Sequence, residues 1–375
     1  MPDPPLARQS RQSRAMEPVG TSGDGTLERV TQGAAIRFLR FAGRRVAYAV
    51  TGDGLPIVAP AWWVSHLELD WAVDAFRGLW ESVGEGYTVV RYDRLGVGMS
   101  DRDVCGEDLT LDGEVALLRA VLDELALERV VLVGGSSGGS TAIAFAARFP
   151  ERVSRLLLYG AYADGPSITS PEVRQAVVST VRSHWGLGSR LLADVFLGEA
   201  NSVEQERLAR YQRAAASPEI AAALLELVYR NDVRGELDGV RAPTLVVHRR
   251  GDRAIPYHLG RELAAAIPGA TLIPLEGSAH FPWAGDWRSV ARALRSVLAP
   301  EAPVLRGGEP AAVLLSGRER EVLALVASGM SDQEIAEQLV LSYHTVHRHV
   351  ANIRHKLGRG SRTAAVAEAA RLGLL

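Results

Sequence analysis

The stretch Val130–Ser140, VVLVGGSSGGS, contains the pattern G-x-S-x-G in two overlapping registers, one centred on Ser136 and the other on Ser137. An apolar run, VVLV, precedes the glycines, and TAIAFAARF follows them at helical spacing. A serine at a tight turn between a strand and a helix is typical of a nucleophile elbow, where glycines permit a strained backbone and close packing. The stretch therefore predicts a strand, an elbow and a helix.

The register favours Ser136 over Ser137. If the strand ends at Val133 and the helix begins near Gly138, Ser136 lies at the centre of the pattern. With Ser137 at the elbow, the strand would extend through Gly134-Gly135, a poor pair for β structure. We therefore expect Ser136 to be the nucleophile. The backbone N–H of Ser137, at a helix N-terminus, is the expected oxyanion donor.

A serine needs a base and an orienting carboxylate to become a strong nucleophile. In hydrolases with such an elbow, the acid and then the histidine follow late strands. Asp252 follows the apolar run PTLVVH, and His280 follows ATLIPLEG. This order favours a catalytic triad of Ser136, Asp252 and His280. The alternative is that the glycines mark only a turn, Asp252 caps a helix and His280 is a loop histidine.

Short apolar runs alternate with helical patterns from about Ile36 to Ala299. The alternation predicts an α/β fold with a doubly wound, mostly parallel sheet, whose strands are nearly continuously apolar because both faces are buried. The runs IRFLRF and RVAYAV predict an antiparallel hairpin before it. Between Tyr159 and Thr244 only helical patterns occur. They predict a helical cap, about residues 164–235, over the sheet edge where ligands bind in such folds.

Composition sets the limits of the domains. Residues 1–30 are rich in Pro, Ser, Gly and Arg without an apolar run, and we expect a disordered leader. Residues 31–299 form the α/β domain, 300–312 a Pro- and Gly-rich linker, and 313–375 a small all-α domain. The chain has one cysteine, no metal-ligand cluster and no apolar run long enough to cross a bilayer. We expect a cytoplasmic protein without a metal or other cofactor.

The last sixty residues carry eight Lys or Arg against six Asp or Glu, whereas the rest of the chain is acidic. Two S-x-x-E capping boxes open helices, and a third helix shows an apolar stripe of Val346, Val350, Ile353 and Leu357. The opposite face of this helix is polar and basic. Three short helices of this kind predict a helix-turn-helix that binds the major groove of DNA. The alternative is a helical protein-interaction domain with a charged, solvated face.

Side chains of the third helix and the residues after it form the expected DNA interface. Arg348 and Asn352 can read base edges, and the remaining cations can neutralise phosphates. The predicted interface consists of Tyr343, His344, Thr345, His347, Arg348, Asn352, Arg354, Lys356, Arg359 and Arg362.

From about Ile36 to Leu298, the motifs VLVGGSSGG, DRLGVGMS, GDRAIP and GSAHFPW resemble those of the α/β-hydrolase superfamily. The resemblance implies Ser136 as nucleophile, His280 as base and Asp252 as orienting acid. It also implies a second oxyanion donor in the loop after the third strand, which here is the Trp62 N–H. Ala61 stands in that loop where the family often has glycine.

The C-terminal segment LSGREREVLALVASGMSDQEIAEQLVLSYHTVHRHVANIRHKLG resembles the LuxR-type (GerE-like) DNA-binding domain over its full length. The resemblance implies a transcriptional regulator that dimerises through a fourth helix, Thr363–Leu372, on two DNA half-sites. Asp332-Gln333 and His347 replace residues that are often basic in the family, so we expect weaker or more salt-sensitive binding. We expect the α/β-hydrolase-like domain to sense or process a small molecule. The alternative is an active serine hydrolase for esters, lactones or similar acyl compounds.

Overall fold

The computed structural model describes residues 35–298, 317–339, 341–357 and 361–371. The chain divides into two compact units, Met1–Ala299 and Pro300–Leu375. No helix in these residues is both long and apolar enough to span a bilayer. The predicted leader and linker lie outside the described residues.

The first unit is built on one eight-stranded sheet in the order β1-β2-β4-β3-β5-β6-β7-β8. The predicted hairpin is confirmed, because β1 pairs antiparallel with β2, and β2 with β4; all other pairs are parallel. The α/β prediction is therefore confirmed. The strands are β1 (Ile36–Phe41), β2 (Arg44–Gly52), β3 (Leu55–Ala59), β4 (Tyr87–Tyr92), β5 (Val130–Gly135), β6 (Val153–Tyr159), β7 (Thr244–Arg249) and β8 (Thr271–Leu275).

Among the described residues of this unit, ten α-helices surround or follow these strands. Many begin at a side chain that accepts a backbone N–H of the first turn, as Thr110, Ser170, Asn201 and Ser217 do. The helices are α1 (Leu67–Trp71), α2 (Asp74–Val83), α3 (Leu111–Glu124), α4 (Ser137–Arg148), α5 (Pro171–Ser183), α6 (Trp185–Leu197), α7 (Ser202–Ala215), α8 (Pro218–Arg230), α9 (Tyr257–Ala266) and α10 (Trp287–Arg295).

Two details differ from the sequence prediction. Strand β5 runs through Gly134 and Gly135 to the elbow, two residues beyond the predicted end. Tertiary packing overrides the poor β propensity of glycine there, because neighbouring atoms occupy the space that a Cβ would need. Strand β8 lies at the sheet edge and is only partly buried, unlike the interior strands.

Helices α5 to α8 lie between β6 and β7 in sequence and contact the loops that follow the strands. The Phe196 carbonyl of α6 accepts from the His280 N–H at 2.7 Å, and the Ala215 carbonyl of α7 accepts from the Gly98 N–H at 2.9 Å. The Trp63 indole lies 3.4 Å from the Ala221 carbonyl of α8. These helices therefore lie over the carboxyl ends of the parallel strands, where α/β folds bind ligands.

In its described residues the second unit contains α11 (Gly317–Ala327), α12 (Asp332–Leu339), α13 (Tyr343–Lys356) and α14 (Arg362–Arg371). The stripe predicted for the third helix is buried in its core together with residues of the other three helices. The second predicted capping box is confirmed: the Ser331 N–H donates to Glu334, and the Glu334 N–H donates to Ser331 Oγ. Ser316, of the first box, lies outside the described residues.

Candidate functional site

Ser136 lies at the turn between β5 and α4. Its backbone has φ 50° and ψ −125°, a region that L-residues other than Gly rarely adopt, and its N–H donates to the Tyr159 carbonyl at 3.0 Å. Ser137 is already the first residue of α4. Strain at one serine between a strand and a helix is typical of a nucleophile elbow.

Glycines around Ser136 allow other groups to approach closely. A Cβ on Gly135 would lie 1.9 Å from the Trp62 indole, and one on Gly138 would lie 2.9 Å from the Pro60 and Ala61 carbonyls. The loop after β3 therefore packs directly against the elbow. The Trp62 ring is also 6.4 Å from the His280 ring, centroid to centroid.

Asp252 and His280 are brought together from the loops after β7 and β8. His280 Nδ1 lies 2.8 Å from Asp252 Oδ2, and both side chains are buried. Asp252 Oδ1 accepts from the N–H groups of Ala254 and Ile255. Burial alone would raise the pKa of the Asp252 carboxyl, but the charge and hydrogen bond of His280, with His248 nearby, hold it below its usual value. The Asp252 carboxyl is therefore favoured in its ionised form and lies where it can orient the His280 ring.

His280 Nε2 is buried and has no hydrogen-bond partner in the described part of the chain. It therefore makes no hydrogen bond with Ser136 in this structure. Both residues nevertheless lie beside the end of β6. Ser136 bonds to the end of β6, and the following residue, Gly160, would place a Cβ 3.2 Å from His280 Cε1. Such a bond often forms only when substrate binds.

Arg249 holds the loop that carries His280. This buried arginine at the end of β7 donates from Nη1 to the carbonyls of Ala279 (2.7 Å) and Phe281 (3.1 Å), the residues on either side of His280. Nη2 donates to the Ala284 carbonyl at 2.7 Å. Charge-assisted bonds of this kind fix backbone positions strongly in a buried site. Sequence reasoning missed this residue, although a charged side chain ending an apolar strand was a visible signal.

Arg94 orients the loop after β3. Its Nη2 donates to the Ala61 carbonyl at 2.7 Å, and its Nε lies 3.6 Å from the buried carboxylate of Glu114. The Ala61 carbonyl and the Trp62 N–H belong to one planar peptide unit, so fixing one fixes the direction of the other. Ala61 does not adopt a positive φ, so the replacement of glycine creates no backbone strain there. Sequence reasoning also missed the role of Arg94.

The candidate DNA-binding face belongs to α13. Tyr343, His347 and Asn352 are exposed, Thr345, Arg354 and Arg362 are half-buried, and the Tyr343 ring stacks on His347 at 6.0 Å. Arg359 lies outside the described residues, as do the side chains of His344 and Arg348.

Three of the predicted contacts already have acidic partners within the unit. Lys356 Nζ lies 2.6 Å from Glu319, and Asp332 pairs with His347 at 3.0 Å and also with Arg362. These partners neutralise part of the charge that we expected to face phosphates. No group of three or more His, Cys, Asp or Glu in the described residues has a metal-binding arrangement.

A family model for the alpha/beta hydrolase fold matches residues 69–283, more than half of the chain. A second model, for bacterial regulatory proteins of the luxR family (GerE), matches residues 313–369. The chain therefore belongs to the alpha/beta hydrolase fold family and carries a LuxR-type GerE domain in its C-terminal part.

Individual relatives match the hydrolase part only. A 2-hydroxy-6-oxononadienedioate/2-hydroxy-6-oxononatrienedioate hydrolase from Paraburkholderia phymatum is 30% identical over 258 residues, which is 66% of this chain and 88% of the relative. One from Cupriavidus pinatubonensis is 33% identical over 209 residues, 53% of this chain and 72% of the relative. The crystal structure of an enol-lactonase from Burkholderia xenovorans LB400 has a TM-score of 0.58 and 25% identity, and the match covers 70% of this chain and all of that one.

Proposed function

We propose that the chain is a transcriptional regulator in which an α/β-hydrolase domain, residues 31–299 with α5 to α8 as its cap, recognises an acyl small molecule. The observation that carries the proposal is the presence of a GerE domain and a buried Asp252–His280 pair beside a strained serine in one chain. In this proposal, binding of the small molecule to the α/β-hydrolase domain changes the DNA binding of the GerE domain in the same chain. We place Tyr343, Thr345, His347, Arg348, Asn352 and Arg354 on DNA, and dimerisation on two half-sites at α14.

The intramolecular ion pairs refine the proposed DNA interface. Lys356 and Arg362 stabilise the helical unit through Glu319 and Asp332, and their contribution to phosphate binding is correspondingly small. The exposed Asn352 can bond bidentately to adenine in the major groove, where it would give specificity.

Titration of the full chain with duplex DNA at several salt concentrations tests the regulator proposal. We expect the logarithm of the affinity to fall linearly with the logarithm of salt concentration, with a slope that reports the number of phosphates contacted. Asn352→Ala should weaken binding to a selected site far more than to random duplex. A chain that is folded but binds neither DNA at low salt contradicts the proposal.

A second candidate is an active serine hydrolase, favoured by the buried Asp252–His280 hydrogen bond and by the enol-lactonase likeness. In this function Ser136 attacks the carbonyl of an ester or lactone, His280 takes its proton, and the N–H groups of Trp62 and Ser137 bind the oxyanion. Turnover of short esters or lactones that is lost in Ser136→Ala and kept in Ser137→Ala would support it. If the chain binds the same compounds without turnover, the hydrolase function is contradicted and only the sensing function remains.

A further inference from the structure

A cavity lies beside the loop after β3 and is separate from the candidate triad. Its volume is about 30 Å³, and it is partly open to solvent. Neither Ser136 nor Asp252 nor His280 lines it. Its walls include Pro60, Trp62, Asp70, Arg91, Tyr211 and Trp283.

Arg91, near the end of β4, is the unusual group in this cavity. It is 4% exposed, and its guanidinium carbon lies 4.4 Å from the centre of the Trp71 ring and 5.3 Å from that of Phe76. All three of its side-chain nitrogens are buried without a hydrogen-bond partner among the residues that the structure describes. The Trp80 indole N–H, in the same wall, is likewise buried without one. The cavity therefore has an excess of hydrogen-bond donors.

The two acidic residues of the cavity do not satisfy Arg91. Neither comes within the 4.0 Å of an ion pair with it. Asp93 already accepts from Ser65 Oγ and from two backbone N–H groups, so both of its oxygens are used. Asp70 accepts from the His66 N–H and is hydrogen-bonded to Tyr211 of the cap. A buried cation without hydrogen bonds is costly, so an additional acceptor is needed.

We propose that this cavity binds a small organic carboxylate, whose two oxygens accept hydrogen bonds from the Arg91 guanidinium. The planar fork of arginine matches a carboxylate bidentately, and the exclusion of water strengthens such a bond. The aromatic side chains Phe76, Trp80 and Trp283 form an apolar wall for the rest of the ligand. A bound carboxylate would contact the Pro60–Trp62 loop, which also packs against the elbow at Ser136.

Protons accompany this binding. Burial raises the pKa of the Asp70 carboxyl to about 7, with the Tyr211 hydrogen bond and Arg91 opposing the rise and Asp93 adding to it. A carboxylate ligand next to an ionised Asp70 adds like charge, whereas a protonated Asp70 removes that repulsion. The affinity for the ligand should therefore decrease as pH rises through about 7. Asp70→Asn should remove most of this pH dependence.

Titration of the full chain with acetate, butyrate and benzoate, followed by calorimetry and by tryptophan fluorescence, tests the proposal. Acetamide, butyramide and benzamide are neutral controls of the same shape. We expect saturable binding of at least one carboxylate, at least tenfold weaker binding of its amide, and at least tenfold weaker carboxylate binding in Arg91→Met. The matched substitution Arg37→Met, at an exposed arginine of β1, should change nothing.

The proposal would be overturned by equal binding of carboxylates and amides, by no saturable binding of any of the three acids, or by unchanged affinity in a folded Arg91→Met chain. If Arg91→Met does not fold, the amide comparison and the pH dependence on the wild-type chain still decide. Competition by a phosphonate attached at Ser136 would place the carboxylate in the triad pocket instead, and so contradict the proposal. DNA titration does not depend on this site, so failure here leaves the regulator proposal standing.

Discussion

Asp252 Oδ2 and His280 Nδ1 are 2.8 Å apart, in a pair that joins two loops 28 residues apart in sequence. Because Nδ1 faces the carboxylate, Nε2 is the nitrogen left to accept a proton from a nucleophile. Nε2 is buried and has no hydrogen-bond partner in the part of the chain that the structure describes. The Ser136 N–H donates to the Tyr159 carbonyl, one residue before Gly160, where a Cβ would lie 3.2 Å from the His280 ring. This geometry fits an orienting acid, Asp252, and a base, His280, whose Nε2 can accept a proton from a nucleophile.

Replacing Arg249 should disturb His280 without touching it. Arg249→Met removes the guanidinium hydrogen bonds to the carbonyls of Ala279, Phe281 and Ala284, and we expect a loss of about 3 kcal/mol in the free energy of unfolding. Phosphonate labelling of Ser136 should slow by at least tenfold, and Arg249→Lys should recover part of both losses. The exposed neighbour Arg250→Met is the matched control. Urea unfolding and labelling rates measure the two effects; a stable Arg249→Met chain with full labelling contradicts this role.

Gly135 and Trp62 should be coupled, because the indole occupies the place of a Cβ on Gly135. Gly135→Ala should cost about 1–3 kcal/mol in urea unfolding through overpacking. The cost should shrink in a Trp62→Leu background, which a double-mutant cycle measures. Gly186→Ala, in α6 with no neighbouring atom within 4 Å, should instead stabilise by up to about 1 kcal/mol. Equal costs of Gly135→Ala in both backgrounds would show that the indole is not the obstacle.

Asp70 should make the stability of the α/β domain depend on pH. Its pKa of about 7 in the folded chain lies well above the ordinary value near 4 in the unfolded chain, so folding favours the protonated form. Its stabilising contribution is complete below pH 4 and is lost as pH rises to 7, by up to about 4 kcal/mol. Tryptophan-monitored urea unfolding at pH 5 and 8 should show most of this loss in the wild type and a clearly smaller pH dependence in Asp70→Asn, where Asp93 and Glu114 still titrate. Identical pH slopes in the two chains would contradict it.

Substitution of Lys356 should mainly lower stability, whereas substitution of Asn352 should mainly weaken DNA binding. Lys356→Met removes the ion pair between Lys356 and the buried Glu319 and should lower the stability of the second unit by about 1–2 kcal/mol. Asn352→Ala should change stability by less than about 0.5 kcal/mol and weaken DNA binding at a specific site by about tenfold. Amide exchange in α13 and fluorescence anisotropy with DNA measure the two quantities. A stable Lys356→Met chain with a reduced salt slope would instead assign Lys356 to a phosphate.

The sequence predicted the parts of the structure that depend on local pattern. The hairpin β1–β2, the capping box at Ser331 and the buried stripe of α13 all follow from periodicity and capping. Periodicity and capping do not predict contacts between segments that are distant in sequence. The Arg249 bonds to the His280 loop, the Arg94 bond to Ala61 and the Asp332 pairs of α12 depend on which loops meet in space.

The length of β5 also depends on packing that the local sequence does not predict. The low β propensity of glycine predicted that the strand ends at Val133. In the structure β5 continues to Gly135, because α4 and the Trp62 loop pack against Gly134 and Gly135. The prediction of Ser136, Asp252 and His280 does not depend on where β5 ends, because it rests on the order of serine, acid and histidine after successive strands.

The most direct test of a working Ser136–His280–Asp252 triad is fluorophosphonate labelling of the purified full chain, with the modified residue located by mass spectrometry. We predict rapid labelling at Ser136, slowed by on the order of a thousandfold in His280→Ala and in Asp252→Asn, with Ser137→Ala unaffected. A label on Ser137, or no label at all on a folded chain, would contradict the assignment.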